Sequence, residues 1–222
     1  MDLTKILENR TSCRAFTDRE VSREVLVRLL SRANRSPSYM NTQPWEVYLA
    51  AGVRKDRLAE KLYEAAGAGA PLAPDLPFPG QWPPAHEGRM KAHRLRRFQS
   101  LNIDPEREPE KVKESYLRNF RFFNAPCIAV FGFAKALNSW SIFDMGLFVQ
   151  SFLLAAYDEG LGACPQAMPV AYADIIKEEL AIPGELNLIL VVSLGYPDQD
   201  AQANKYRSLR RGLEEFTHWQ GF

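Results

Sequence analysis

The sequence predicts an α+β or three-layer architecture in one compact unit over residues 1–222. Three short runs rich in β-branched and aromatic residues read as strands, and more numerous stretches with apolar residues at helical spacing separate them. With 46% hydrophobic and 25% charged residues, the chain has the balance of an ordinary globular protein and enough length for a sizeable core. No internal repeat is present.

The elements follow in order. Residues 21–33 place Val25, Leu26, Leu29, Leu30 and Ala33 on one side of a helix with charges opposite. A polar loop leads to a strand at 45–50, which starts after Pro44. Residues 54–66 read as a second helix. The segment 67–88 holds six prolines and four glycines and is expected to be irregular chain, either a lid or pocket wall or a mobile linker, whose Trp82 and Phe78 either face a flat substrate or cover the core. A mostly solvated basic helix is expected at 89–98 and another helix at 109–123. A strand at 127–133 precedes a helix at 144–160 that is apolar nearly all round, with Asp144 as its N-cap. A short helix at 172–180 and a buried strand at 187–194 complete the regular structure, and the tail 204–222 is basic first and aromatic last.

Charge and motifs exclude several functions. The net charge of +1 gives no bulk field for nucleic acid or an anionic membrane. The longest apolar stretch, 146–157, is shorter than the roughly 20 residues of a spanning helix, so no membrane span is expected. The start of the sequence lacks a signal-peptide pattern, and Cys13, Cys127 and Cys164 form no CxxC pair; a cytoplasmic protein with reduced thiols is expected. His86, His93 and His218 stand in no HExxH or HxH arrangement, so no metal site is expected. GxSxG, a complete GxGxxG and a Walker loop are all missing. An inventory without acid–base or nucleophile machinery suits either a binding protein or an enzyme whose organic cofactor carries the chemistry.

Four clusters offer positive chemistry. In 10–16, Arg10 and Arg14 flank Ser12 and converge on one phosphate if the backbone is helical or turned, or else are exposed helix-end charges. The loop 36–45 is dense in hydrogen-bonding side chains, suited to the polar edge of a planar heterocycle, or is a plain turn. In 160–167 two glycines allow close approach of backbone to a ring, or cap a helix. Residues 204–211 add cations near the other end, or form a solvated tail.

In this order the clusters resemble the nitroreductase family of FMN-dependent oxidoreductases, and the similarity runs from residue 6 to 219. Its pieces are R-x-S-x-R-x-F at 10–16, SPSxxNTQPW at 36–45, GLGACPQA at 160–167, GYPD at 195–198 and an arginine ahead of Leu213-Glu214-Glu215. CPQA and the approach Phe122-Phe123-Asn124-Ala125-Pro126 resemble the nitrobenzoate-reductase-like branch. The resemblance implies a three-layer sandwich with a central, mainly antiparallel sheet, forming an intertwined homodimer with FMN at the subunit interface. It implies that Arg10, Ser12 and Arg14 hold the ribityl phosphate and one flavin edge, with Lys205 or Arg207, and Arg210, completing neutralisation. Pro37, Ser38, Tyr39 and Asn41 would reach the partner's flavin; Pro165, Gln166 and Ala167 would lie along the isoalloxazine. Where some relatives carry a Glu after the GL-x-x-x-P turn, this chain has Gln166-Ala167. Asn119 and Trp82 are candidates for substrate contact. The implied reaction moves hydride from NAD(P)H through the flavin to a nitroaromatic, quinone or similar small-molecule acceptor, with ping-pong kinetics. Reductive dehalogenation on the same scaffold and flavin storage are the alternatives.

Overall fold

The computed structural model describes residues 2–222. Four strands, β1 (Glu46–Ala51), β2 (Cys127–Ala134), β3 (Gly162–Gln166) and β4 (Leu186–Gly195), form one sheet of order β1-β2-β4-β3 with every pairing antiparallel. Side chains alternate across a strand, and β2 shows the consequence. Cys127, Ala129, Phe131 and Phe133 face a core closed by α2 (Arg23–Ala33) and α6 (Ser139–Asp158). Ile128 and Val130 face a second core closed by α3 (Gly52–Gly67) and α7 (Ala173–Leu180). Two apolar faces therefore need two helical layers, and the expected α+β sandwich is what forms.

Ser22 caps α2 by accepting from the Val25 amide. The register of β2 against β4 slips between Phe131 and Gly132, and a Cβ on Gly132 would lie 2.8 Å from the Asn187 carbonyl oxygen, so the bulge needs glycine. α6 is long and apolar enough, by length and composition, to cross a bilayer, whereas the longest apolar run in the sequence fell short; 50% of its window is buried inside the structure.

Four expectations are corrected. α6 begins at Ser139 with Asn138 as N-cap, its side chain accepting from the Trp140 amide, so Asp144 is an interior residue, buried, accepting from the Tyr39 amide at 3.1 Å. The helix expected over 109–123 is α5 (Pro109–Leu117), because Phe122, Phe123 and Asn124 take φ of 53°, 54° and 60° and bury two phenyl rings in a tight turn. The irregular segment ends earlier, since Pro84 sits at the first position of α4 (Pro84–Ser100), where its missing N–H costs nothing. The third cluster is not a ring-facing loop alone: Gly160, φ +76°, ends the turn after α6, and residues 162–166 form β3. β3 and the N-terminal α1 (Leu3–Asn9) have no counterpart among the expected elements.

The proline-rich segment is anchored. Asp75 accepts from Lys177 Nζ at 2.5 Å and from the Leu188 amide at 2.9 Å, and the Ala73 amide donates to the Ala171 carbonyl at 2.8 Å.

Candidate functional site

Residues 10–16 run extended along the outer edge of the sheet, not as a helix. Ser12 bridges Ala163 of β3, the Cys13 amide donates to the Ala163 carbonyl at 3.0 Å, and Phe16 bridges Pro197. Alternation then does what a helix was expected to do: Arg10, Ser12 and Arg14 share one face while Cys13 turns to the other and is buried. Gly162 makes this apposition possible, because a Cβ there would lie 2.6 Å from Cys13 Sγ.

The other end of the chain meets this strand through Asn204. Its Oδ1 accepts from the Arg14 amide at 2.7 Å, and its Nδ2 donates to the carbonyls of Ala15 (2.8 Å) and Asp198 (2.7 Å). The residues that follow complete a cavity of ≈480 Å³ lined by Arg10, Ser12, Arg14, Arg207 and Arg210, with Glu8, His93 and Tyr206 beside them. That volume falls within the ~300–1,000 Å³ of small-molecule sites. Glu8 is the one carboxylate in the lining. Among the described residues none of the four arginines is in an ion pair; Arg14, Arg207 and Arg210 donate to backbone carbonyls instead. Burial and the nearby Arg210 guanidinium hold the Arg10 pKa below its ordinary value. Behind the cavity, burial and Arg14 push Arg97 down to about 10. Four guanidinium groups against one carboxylate make the lining net cationic, an environment that favours an anion.

The remaining candidates fall elsewhere. Lys205 is exposed and not among the lining residues. The loop 36–45 packs on α6 through Ser36 Oγ to Ser151 Oγ (2.8 Å) and through the Tyr39 amide to Asp144. Met40, Asn41 and Gln43 all take positive φ, and Pro37, Tyr39 and Asn41 are exposed with Ser38 half-buried. Pro165 and Ala167 are exposed, but Gln166 points into the core: its Nε2 donates to the Asn119 carbonyl at 2.9 Å and its Oε1 accepts from Ser193 Oγ. Asn119 is thus tied to β3, its own Nδ2 donating to the Tyr116 carbonyl at 2.8 Å. Trp82 stands exposed on the proline-rich segment. Three residues at the cavity were outside the expected site set: Asn204, Tyr206 and His93. The first two lie in the basic run at 204–211 and were legible there as polar side chains; His93 comes from α4, 113 residues from Tyr206, and no spacing rule connects them.

The model of the nitroreductase family matches residues 7–196. The chain is 33% identical over 218 residues to the nitrobenzene nitroreductase of Ectopseudomonas oleovorans, covering 96% of this chain and 94% of that protein. It is 30% identical over 230 residues to the 4-nitrobenzoate reductase of Pseudomonas putida, covering 100% and 96%. The crystal structure of the FMN-dependent nitroreductase NfnB from Mycobacterium smegmatis in complex with NADPH superposes with a TM-score of 0.91 at 30% identity, covering 99% of this chain and 100% of that one.

Proposed function

This chain belongs to the nitroreductase family, and from that membership we propose that its cationic cavity holds the phosphate of FMN in an NAD(P)H-dependent oxidoreductase acting on nitroaromatics, quinones or similar electron-poor acceptors. The observation that carries this reading is the meeting of Arg10, Ser12 and Arg14 with Arg207 and Arg210 around one cavity, the four arginines having no ion-pair partner among the described residues. The donor set fits the group: a phosphate monoester carries about −1.5 to −2 at neutral pH, and guanidinium forks bind such oxygens bidentately. Arg207 and Arg210 take the neutralising role, and Lys205 stays outside it.

FMN bound there supplies the redox chemistry, accepting hydride from the nicotinamide and passing it to the acceptor. The chain's own residues bind and orient. Asn204 holds the two ends of the polypeptide together so that their cations share a target. Pro165 and Ala167 offer a low, uncharged surface for a flat ring, while Gln166, bonded to Asn119 and Ser193, fixes the strand beneath it. Asn119 and Trp82 remain the proposed substrate neighbours. One slot serving donor and acceptor in turn gives ping-pong kinetics.

Pro37, Ser38, Tyr39 and Asn41 lie outside the lining of this cavity; in the proposed homodimer they reach the partner's cofactor. Tyr39 stacks on Trp140 with ring centroids 5.8 Å apart, and Trp140 and Phe143 are 59% and 61% exposed, an apolar surface suited to a second copy. Three unpaired, buried cysteines support the cytoplasm as compartment.

The test is direct. The purified protein should be yellow, bleach with NADPH or NADH without oxygen, and recolour with 4-nitrobenzoate, with parallel initial-rate lines. Intersecting lines would remove the ping-pong scheme. Bleaching without turnover of any nitro or quinone acceptor would favour dehalogenation or storage, and a colourless protein that ignores added FMN would overturn the reading.

A further inference from the structure

We propose that His93 is a phosphate-binding residue of the cofactor cavity that takes up a proton from solvent when FMN enters, with Tyr206 holding its ring in both charge states. The proposal rests on the FMN reading above and deepens it. His93 reaches from α4 into the cavity, and its Nδ1 lies 3.0 Å from the Tyr206 hydroxyl oxygen. A phenol both donates and accepts. To a neutral imidazole protonated on Nε2, Tyr206 donates; from an imidazolium it accepts the Nδ1–H, leaving Nε2–H for a phosphate oxygen.

The charges facing the ring are one-sided. The N-terminal segment contributes Arg10 and Arg14 with Glu8; α4 itself contributes Arg89, Arg96 and Arg97; the C-terminal segment contributes Arg207, Arg210 and Arg211 with Glu215. Burial first, then Arg14, Arg97, Arg96 and Arg210, hold the His93 pKa below its ordinary value, so the empty cavity keeps the ring neutral near pH 7. An arriving dianion offsets those cations and makes the imidazolium favourable. The sign follows from linkage. A group whose pKa rises on binding adds affinity that is complete below its free-site pKa and disappears as pH climbs through its bound-state pKa. Each pK unit of rise is worth up to about tenfold in affinity.

FMN and riboflavin titrations of the full-length apoprotein between pH 5.5 and 8.5 test this, comparing the wild type with His93→Gln and Tyr206→Phe. FMN's own phosphate titrates near pH ~6, so the readout is the ratio of the two proteins at each pH. The expected ratio is about tenfold in favour of wild type at pH 5.5, falling towards one at pH 8.5, with riboflavin affinity equal in both. Calorimetry in two buffers of different ionisation enthalpy should find greater proton uptake by the wild type at pH 6.5 to 7. Tyr206→Phe should move the wild-type profile to lower pH. Superimposable profiles for wild type and His93→Gln, or an equal loss with riboflavin, overturn the proposal. An Arg10→Ala/Arg210→Ala protein separates the two levels: if it still binds FMN, the cavity assignment fails and His93 with it; if it loses FMN while the His93 profiles coincide, the His93 proposal alone fails.

Discussion

Asn204 is the residue on which the site's geometry turns, since one carboxamide satisfies an amide and two carbonyls that belong to distant parts of the chain. Its loss takes away the partner of the Arg14 amide and of the Asp198 carbonyl, at about 1–3 kcal/mol for each one that stays buried, while the Ala15 carbonyl keeps the Asp198 amide at 3.1 Å. Asn204→Ala is expected to fold, to weaken FMN binding at least tenfold, and to do so more than Lys205→Ala, by fluorescence titration of the flavin. Arg10→Ala/Arg210→Ala should yield colourless protein with unchanged far-ultraviolet circular dichroism. The thiols make a separate prediction. Burial pushes Cys13 and Cys127 up to about 11 from an ordinary 9.0. A thiol whose pKa is raised by folding contributes stability fully present below its unfolded value and lost as pH rises through the folded one. The urea midpoint should therefore fall as pH climbs from 9 towards 11, and a Cys13→Ser/Cys127→Ala protein should show a shallower fall.

At the level of elements, periodicity made most of the fold legible. β2 and β4 are runs of buried apolar residues, and α6, apolar nearly all round, could only be a core helix. Its Phe152, fully buried against Phe131, should cost about 3–5 kcal/mol on truncation to alanine, read as a drop in denaturant midpoint. β3 was illegible because Gly162-Ala163-Cys164-Pro165 carries none of the residues that favour strands; it is a strand because β4 needs a partner on that edge and because Pro165 follows three residues able to pair. The same holds for the segment 10–16. Its cations were visible, but the extended backbone that aligns them is imposed by the Ala163 carbonyl, a contact far away in sequence. Gly162→Ala should force Cys13 off that edge and reduce both thermal stability and retained flavin, whereas Gly184→Ala, with open space around it, should leave flavin content unchanged.

Over the whole molecule, the sheet and its two helical layers were predictable, whereas the meeting of residues 10–14 with 207–210 was implied only by the family resemblance, since no local pattern encodes it. The proposed homodimer is tested by mass and by dilution: sedimentation should give about twice 25.2 kDa, and Trp140→Glu/Phe143→Glu should shift it to the monomer with loss of flavin. Because the cavity draws on Arg10 and on Arg210 together, a partly folded chain in which only one of them has reached its place has half of the grip. On the proposed reading flavin uptake follows folding, and protein refolded without FMN should turn yellow when the cofactor is added afterwards.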